Sequence, residues 1–286
     1  MIKKLIKSVA KKILKSLALK GGRVLWTKLI IDRGFDHQLL RRPGLRMINI
    51  GAGSEFNDND FVALDFNPLF SKYSGSKFPF GEKVHFDLMD RSIEMPFKDL
   101  EIVYTSHSLE HLPVSDVLRV LFQVNSSMKE GAVLRIVVPD ADLILDALKR
   151  NDLNFFAFYR SYFGDFEPSV IDYVFLLLHT GAGRVLHGTL NEKFRNELYV
   201  EFENIRTEDN KIIIDWFNSL KSTSDQEGTY HQSAYNFYSL SELLRQSGFI
   251  NIYRSAFMQS REPILREVPK FDGTHPWMSL YIEAFK

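Results

Sequence analysis

The chain has 286 residues, 45% hydrophobic and 13% aromatic, enough to bury one large core or two smaller ones. It contains no cysteine, which excludes disulfides, thiolate metal sites and a cysteine nucleophile, and suits a reducing compartment, so a cytoplasmic location is expected. Lysine plus arginine and aspartate plus glutamate balance at 36 each, so no global basic field recruits nucleic acid, and no apolar run reaches the eighteen or so residues of a membrane-spanning helix.

The balance hides an asymmetry. Residues 1–20, MIKKLIKSVAKKILKSLALK, hold seven lysines and no acid, leaving the rest of the chain net acidic. Ile2, Leu5, Ile6, Val9, Ile13, Leu14 and Leu17 recur at helical spacing with lysines on the other faces, which predicts an amphipathic helix. Lysines interrupt every apolar stretch, unlike a secretory signal. The stripe can dock on its own domain, pair with a second copy in a homo-oligomer, or lie peripherally at the inner face of a membrane with anionic headgroups.

After Gly21 and Gly22, RVLWTKLIIDRGF reads as a further helix, and RRPGLR marks a boundary. Residues 1–44 thus form an N-terminal helical region, and 45–286 the main domain. The runs RMINI, FVALDF, KVHFDL, LEIVYTS and AVLRIVVP read as strands, mostly apolar on both faces as in buried parallel sheets. Between the fourth and fifth, PVSDVLRVLFQVNSSMKEG has helical periodicity, with Ser115 as cap and Gly131 past its end, giving a β-α-β unit. The helix DADLILDALKRN follows. Residues 151–228 then change character, reading as a helical cap insertion built from FFAFYRSYFG, VIDYVFLLLH, LNEKFRNELYVEFENI and NKIIIDWFNSL. Helix SLSELLRQSGF and strands INIYRSAF and WMSLYIEAF resume the alternation, so the fold class is α/β, a doubly wound, mostly parallel sheet.

Gly51-Ala52-Gly53, after the first strand, gives a turn that a ligand can approach closely, and Asp65 ends the next strand where a carboxylate accepts ribose hydroxyls. Only about ten residues join the two strands, too few for a full crossover helix. A dinucleotide needs its pyrophosphate at a helix N-terminus, and here Glu55 brings negative charge instead. S-adenosylmethionine, with adenine, ribose and a cationic tail but no phosphate, fits better than NAD.

With these segments in order, the chain resembles class I S-adenosylmethionine-dependent methyltransferases, particularly a bacterial group often associated with cell-surface glycan synthesis. NIGAGSE looks like the glycine motif, VALDFNP the ribose-binding strand end, HFDLMDRSIEMPFKD the adenine-side segment, and IVYTSHSLEHLPVSDVLRVLFQV with SMKEGAVLRIVVPD the fourth strand, its helix and the fifth strand. The resemblance runs from about Arg46 to Asp146 and resumes more weakly from Tyr230. It implies a seven-stranded Rossmann-like methyltransferase sheet, with S-adenosyl-L-methionine as cofactor. It also implies Asn49, Gly51, Gly53 and Ser54 along the methionine moiety, Asp65 on the ribose, Asp87 and Leu88 on adenine, and Ser106 and His107 at the sulfonium and substrate. Two departures stand out: Asn49 where many relatives have an acid, and Glu55 in place of a glycine.

Methyl transfer aligns a nucleophile with the methyl group, and a hydroxyl acceptor benefits from a general base, a task suited to histidine. His107, at the carboxyl edge of the fourth strand, either contacts reacting groups or shapes the turn. His111 either joins it or packs beside Leu112 and Pro113. His231, before the helix that follows the cap, is a second candidate base by resemblance. Asp140 and Asp142 either bind a sugar hydroxyl or divalent ion, or cap the next helix; without clustered ligands at clear spacing, no metal site is expected. The expected function is O-methylation of a sugar or other polar small-molecule acceptor in glycan or metabolite synthesis. The alternative is a catalytically inactive binding or scaffold protein of the same fold, held at a membrane. Nucleic-acid methylation is disfavoured by the net acidic chain beyond residue 20.

Overall fold

The seven apolar runs form one sheet in the order β3-β2-β1-β4-β5-β7-β6, with β1 Met47–Ile50, β2 Phe61–Asp65, β3 Lys83–His85, β4 Leu100–Ser106, β5 Met128–Pro139, β6 Ile250–Arg254 and β7 Ser279–Phe285. The first five pair in parallel, and β7 runs antiparallel between β5 and β6. This is a Rossmann-like α/β sheet, and its order reverses between β1 and β4, the crevice where open sheets bind ligands. The computed structural model describes residues 44–72, 77–180, 192–221, 230–268 and 270–286. The amphipathic helix expected over residues 1–20 and the helix expected after Gly22 lie outside them.

Alternation along the strands divides the core. Ile48, Ile50, Val62, Leu64 and Val103 face helices α1 (Val114–Ser127) and α6 (Phe237–Gln246), meeting Val117, Leu121, Leu240 and Leu244. Met47, Phe61, Ile102 and Tyr104 face the other way, onto Phe257, Ile264, Leu265 and Phe271. This second face is covered by the long β6–β7 connection, which includes the short 3-10 helix Pro263–Arg266. Helix α2 (Ala141–Lys149) leads into a separate apolar cluster with α3 (Val170–Leu178), α4 (Glu192–Ile205) and α5 (Asn210–Ser219). The aromatic run before α3 forms the 3-10 helix Ala157–Phe163, turning Phe156, Tyr159 and Phe163 into that cluster. Among the described residues, no helix is long and apolar enough to cross a membrane.

Two local expectations shift. Helix α1 begins one residue before Ser115, with Pro113 at its N-cap in an extended conformation, φ −58° and ψ 148°, and no side-chain cap bond. The helix then passes at Met128 directly into β5, so Gly131 lies inside the strand, at φ +75°. Asp140 does cap α2, accepting from the Asp142 N–H at 3.1 Å.

Arg135 clamps the irregular connection to the sheet. It is wholly buried on β5, and all five of its N–H groups are used: Nε and Nη2 on Asp272, Nη1 on Ser255 Oγ and Glu283, Nη2 also on the Ala256 carbonyl. Its guanidinium lies 5.3 Å from the Tyr281 ring centroid. Truncation leaves two buried carboxylates uncompensated, so Arg135→Ala is expected to cost about 3–5 kcal/mol of unfolding free energy. Urea denaturation of the variant measures this, and a loss under about 1 kcal/mol would show that the clamp contributes little.

Candidate functional site

The ten residues between β1 and β2 contain no helix; they fold as turns. Gly51 and Ala52 extend the parallel ladder by donating to the Leu64 carbonyl, at 2.8 and 3.1 Å. Asp65 then closes the turn, its Oδ2 accepting from the Gly53 N–H at 2.8 Å and its Oδ1 from the Asn67 N–H at 3.0 Å. A carboxylate has about four acceptor positions, so each oxygen keeps one for a ligand.

The need for glycine differs at the two turn positions. A Cβ on Gly51, at φ +65°, would fall against Ser108 Oγ and 2.5 Å from Ser108 Cβ, whereas around Gly53, at φ +70°, there is open space. Gly51 is therefore demanded by the protein's own packing across the switch point. Gly53 is the position left open to a ligand.

A cavity of about 330 Å³ opens at this edge, and of the residues singled out in the sequence Gly51, Asp65, Asp87, Leu88 and His107 line it together. Phe66, Phe86, Met89, Ser108, His111 and Leu112 also line it, and among the described residues neither lysine nor arginine takes part. The remaining predicted residues lie off the wall. Asn49 is buried within β1, Ser106 ends β4, Gly53 and Ser54 are exposed on the turn, and His231 is not part of the lining. The loop that carries Leu88 is braced by α1. Arg119 donates to the Leu88 carbonyl at 2.5 Å, and Arg91 clasps Asp116 through two bonds of 2.9 Å.

His107 follows β4 with φ +50°, a conformation that a non-glycine residue holds only when its surroundings impose it. Those surroundings are evident: its N–H donates to the Val137 carbonyl at 2.8 Å, Nδ1 lies 3.1 Å from Glu110 Oε1, and Nε2 lies 2.9 Å from Ser279 Oγ. Ser279 Oγ is also 2.8 Å from the His275 carbonyl, so its hydroxyl has a second place to donate.

Glu110 sits in the 3-10 helix Leu109–His111 and is 1% exposed. Burial pushes its carboxyl up, but the hydrogen bond from His107 and the neighbouring imidazoles outweigh this and hold it down at about 2. His231 Nδ1 lies 2.7 Å from the Leu177 carbonyl, which can only accept, so that nitrogen carries the proton. Burial, reinforced by His111, pushes the His231 imidazole down to about 4, leaving it neutral at physiological pH.

Sequence reading passed over Glu110, Phe66 and Ser279. Glu110 stood between two singled-out histidines in SHSLEH; nothing in the chain marks Phe66 or Ser279 beyond their neighbours. The expectation of no metal site rested on the lack of clustered ligands along the chain. In space, Glu110, His111 and His231 do cluster, their ligand atoms within 4.8 Å of one another.

No family model and no curated protein matches this sequence. Among solved structures, the chain is similar to an S-adenosylmethionine-dependent methyltransferase from Mesorhizobium loti at 14% identity and TM-score 0.40, covering 87% of this chain and 95% of that one. It is likewise similar to a SAM-dependent methyltransferase from Archaeoglobus fulgidus at 15% identity and TM-score 0.41, covering 96% and 99%. That likeness is one of fold.

The packing at Gly51 can be tested by compensation. Gly51→Ala is expected to destabilise by more than about 2 kcal/mol, Gly53→Ala by about 1 kcal/mol for backbone strain alone, and Gly51→Ala/Ser108→Gly to recover part of the larger loss. Thermal denaturation of the three variants reads the difference; equal losses at the two glycines would contradict the assigned contact.

Proposed function

We propose that this cavity binds S-adenosylmethionine and that the protein transfers its methyl group to a hydroxyl of a sugar or other polar small molecule. The observation that carries the reading is the charge of the wall at the switch point: among the described residues it holds two carboxylates, Asp65 and Asp87, and no lysine or arginine. A dinucleotide would find neither a cationic partner nor a helix N-terminus for its phosphates. A sulfonium nucleoside is instead attracted by the same carboxylates. The free acceptor positions of Asp65 suit the ribose hydroxyls, and Phe66, Leu88 and Met89 offer apolar surface for adenine.

The cofactor supplies an activated methyl group. As the acceptor oxygen bonds to the methyl carbon, the carbon–sulfur bond breaks and its electron pair returns to sulfur, giving S-adenosylhomocysteine. The hydroxyl proton goes to His107 Nε2, which is released when Ser279 turns its hydroxyl to the His275 carbonyl, while anionic Glu110 steadies the imidazole through Nδ1.

An aromatic row leads away from His107. The His275 ring is 5.5 Å from that of His107 and 5.4 Å from Trp277, and Trp277 stacks on Phe158 at 4.4 Å. Trp277 and Phe158 remain 39% and 66% exposed, an apolar platform beside the site that suits the flat face of a sugar ring.

Thermal shift tests the cofactor. S-adenosylmethionine and S-adenosylhomocysteine at about 100 times their dissociation constants should each add about 2.7 kcal/mol to the folded state, and NAD nothing. Asp65→Asn should weaken the shift. His107→Gln and Trp277→Ala should retain it but lower S-adenosylhomocysteine formation across a panel of monosaccharides and nucleotide sugars, Trp277→Ala chiefly through the acceptor KM. A shift with NAD alone would overturn the reading, and binding of the sulfur nucleoside without turnover on any acceptor would make this a binding protein.

A further inference from the structure

Behind the cavity wall, Glu110, His111 and His231 converge although 120 residues separate the first two from the third. The backbone that carries them is stapled. Gln232 and Ser233 both donate their N–H groups to the Glu110 carbonyl, at 2.7 and 3.2 Å, Gln232 Nε2 donates to the His111 carbonyl at 2.9 Å, and Ser233 Oγ to the Leu112 carbonyl at 2.9 Å. The His231 N–H is held by Thr180 Oγ1 at 2.8 Å. Five hydrogen bonds thus fix a meeting of three side chains.

The side chains themselves are short of partners. Among the described residues, Glu110 Oε2 and His111 Nδ1 are buried with no hydrogen bond, and Glu110 Oε1 has only the His107 imidazole, 3.1 Å away. The protonated Nδ1 of His231 on the Leu177 carbonyl leaves Nε2 with its lone pair free, the arrangement by which a second partner orients a metal-ligating histidine. His107 bears the same relation to Glu110, engaging one carboxylate oxygen and leaving the other. The His111 and His231 rings meet edge to face at 4.8 Å. A buried carboxylate and two imidazoles whose ligand atoms lie within 4.8 Å of one another, with Glu110 Oε2 and His111 Nδ1 buried and unsatisfied, call for a cation.

We propose that Glu110, His111 and His231 form a divalent transition-metal site of the zinc class, with His107 and the Leu177 carbonyl as its supporting shell. Two imidazoles and one carboxylate favour zinc, cobalt or iron(II) over magnesium or calcium, which prefer oxygen ligands throughout. Ligands about 2.0–2.2 Å from such an ion stand about 3.3 Å apart, a contraction from the observed 4.8 Å limit that side-chain rotation supplies. Three protein ligands leave a fourth position open, and His111 lines the cavity, so that position lies at the wall of the proposed methyl-transfer site. The assignment of the metal site does not depend on the identity of the nucleoside.

The test uses the full-length protein after chelator treatment and dialysis, with no nucleoside present. Titration with Zn²⁺ by calorimetry, and with Co²⁺ by visible d–d absorption, should show one equivalent bound with low-coordinate cobalt bands. Glu110→Gln, nearly isosteric, and His231→Ala should each weaken binding at least about a hundredfold, whereas His85→Ala, on β3, should bind as wild type. Circular dichroism and melting temperature report folding, and Glu110→Gln decides if His231→Ala does not fold. No binding at micromolar zinc, binding undiminished in Glu110→Gln, or octahedral cobalt spectra identical in all variants would each overturn the site.

Discussion

The structure depends on how two strands are joined across ten residues without a helix. A crossover helix would ordinarily set the spacing of β1 and β2 and offer its N-terminus to a ligand. Here the carboxylate of Asp65 takes over the first task, accepting from Gly53 and Asn67, so that one side chain fixes both the glycine turn and the start of the next loop. The second task is not taken over by anything. Among the described residues the edge of the sheet presents Asp65, Asp87 and apolar surface, and the proposal of a cationic nucleoside rests on that charge.

The same economy of helices appears on the opposite face. Where a doubly wound sheet would place helices, the β6–β7 connection covers Met47, Phe61, Ile102 and Tyr104 with Ile264, Leu265 and Phe271. An irregular segment brings backbone polar groups against the core, and they must find partners there. Arg135 meets part of that demand at the Ala256 carbonyl and spends its other donors on the side chains of Ser255, Asp272 and Glu283, tying the connection to β5 and β7. The connection ends at His275, Trp277 and Ser279, so the clamp that secures the core also sets the far side of the candidate site.

Much of this was legible in the chain, and the limits are instructive. The strands announced themselves because buried parallel strands are apolar on both faces, and the lack of a first crossover helix followed from counting residues between MINI and FVALD. Asp65, Asp87, Leu88 and His107 were recognisable because their place is fixed by the strand end they follow, a local relation. What escaped was non-local. The meeting of Glu110 and His111 with His231 spans about 120 residues and depends on hydrogen bonds from Gln232 and Ser233, which no spacing rule reveals. Gly51 was read as room for a ligand, whereas its missing side chain is filled by Ser108, 57 residues away. The cap expected at Ser115 failed for a smaller reason, since the helix starts one residue earlier, with Pro113 at its N-cap.

The carboxylate of Asp65 thus serves two ends, closing a turn and facing a cavity, and the functional account stands on the second. The most direct measurement is a crystal structure of the protein soaked with S-adenosylhomocysteine. The account predicts the nucleoside in the cavity between Gly51 and His111, with its ribose hydroxyls on Asp65, its adenine against Leu88, and its sulfur toward His107. A nucleoside bound elsewhere, or seated there with Asp65 touching only the Gly53 and Asn67 amides, would contradict it.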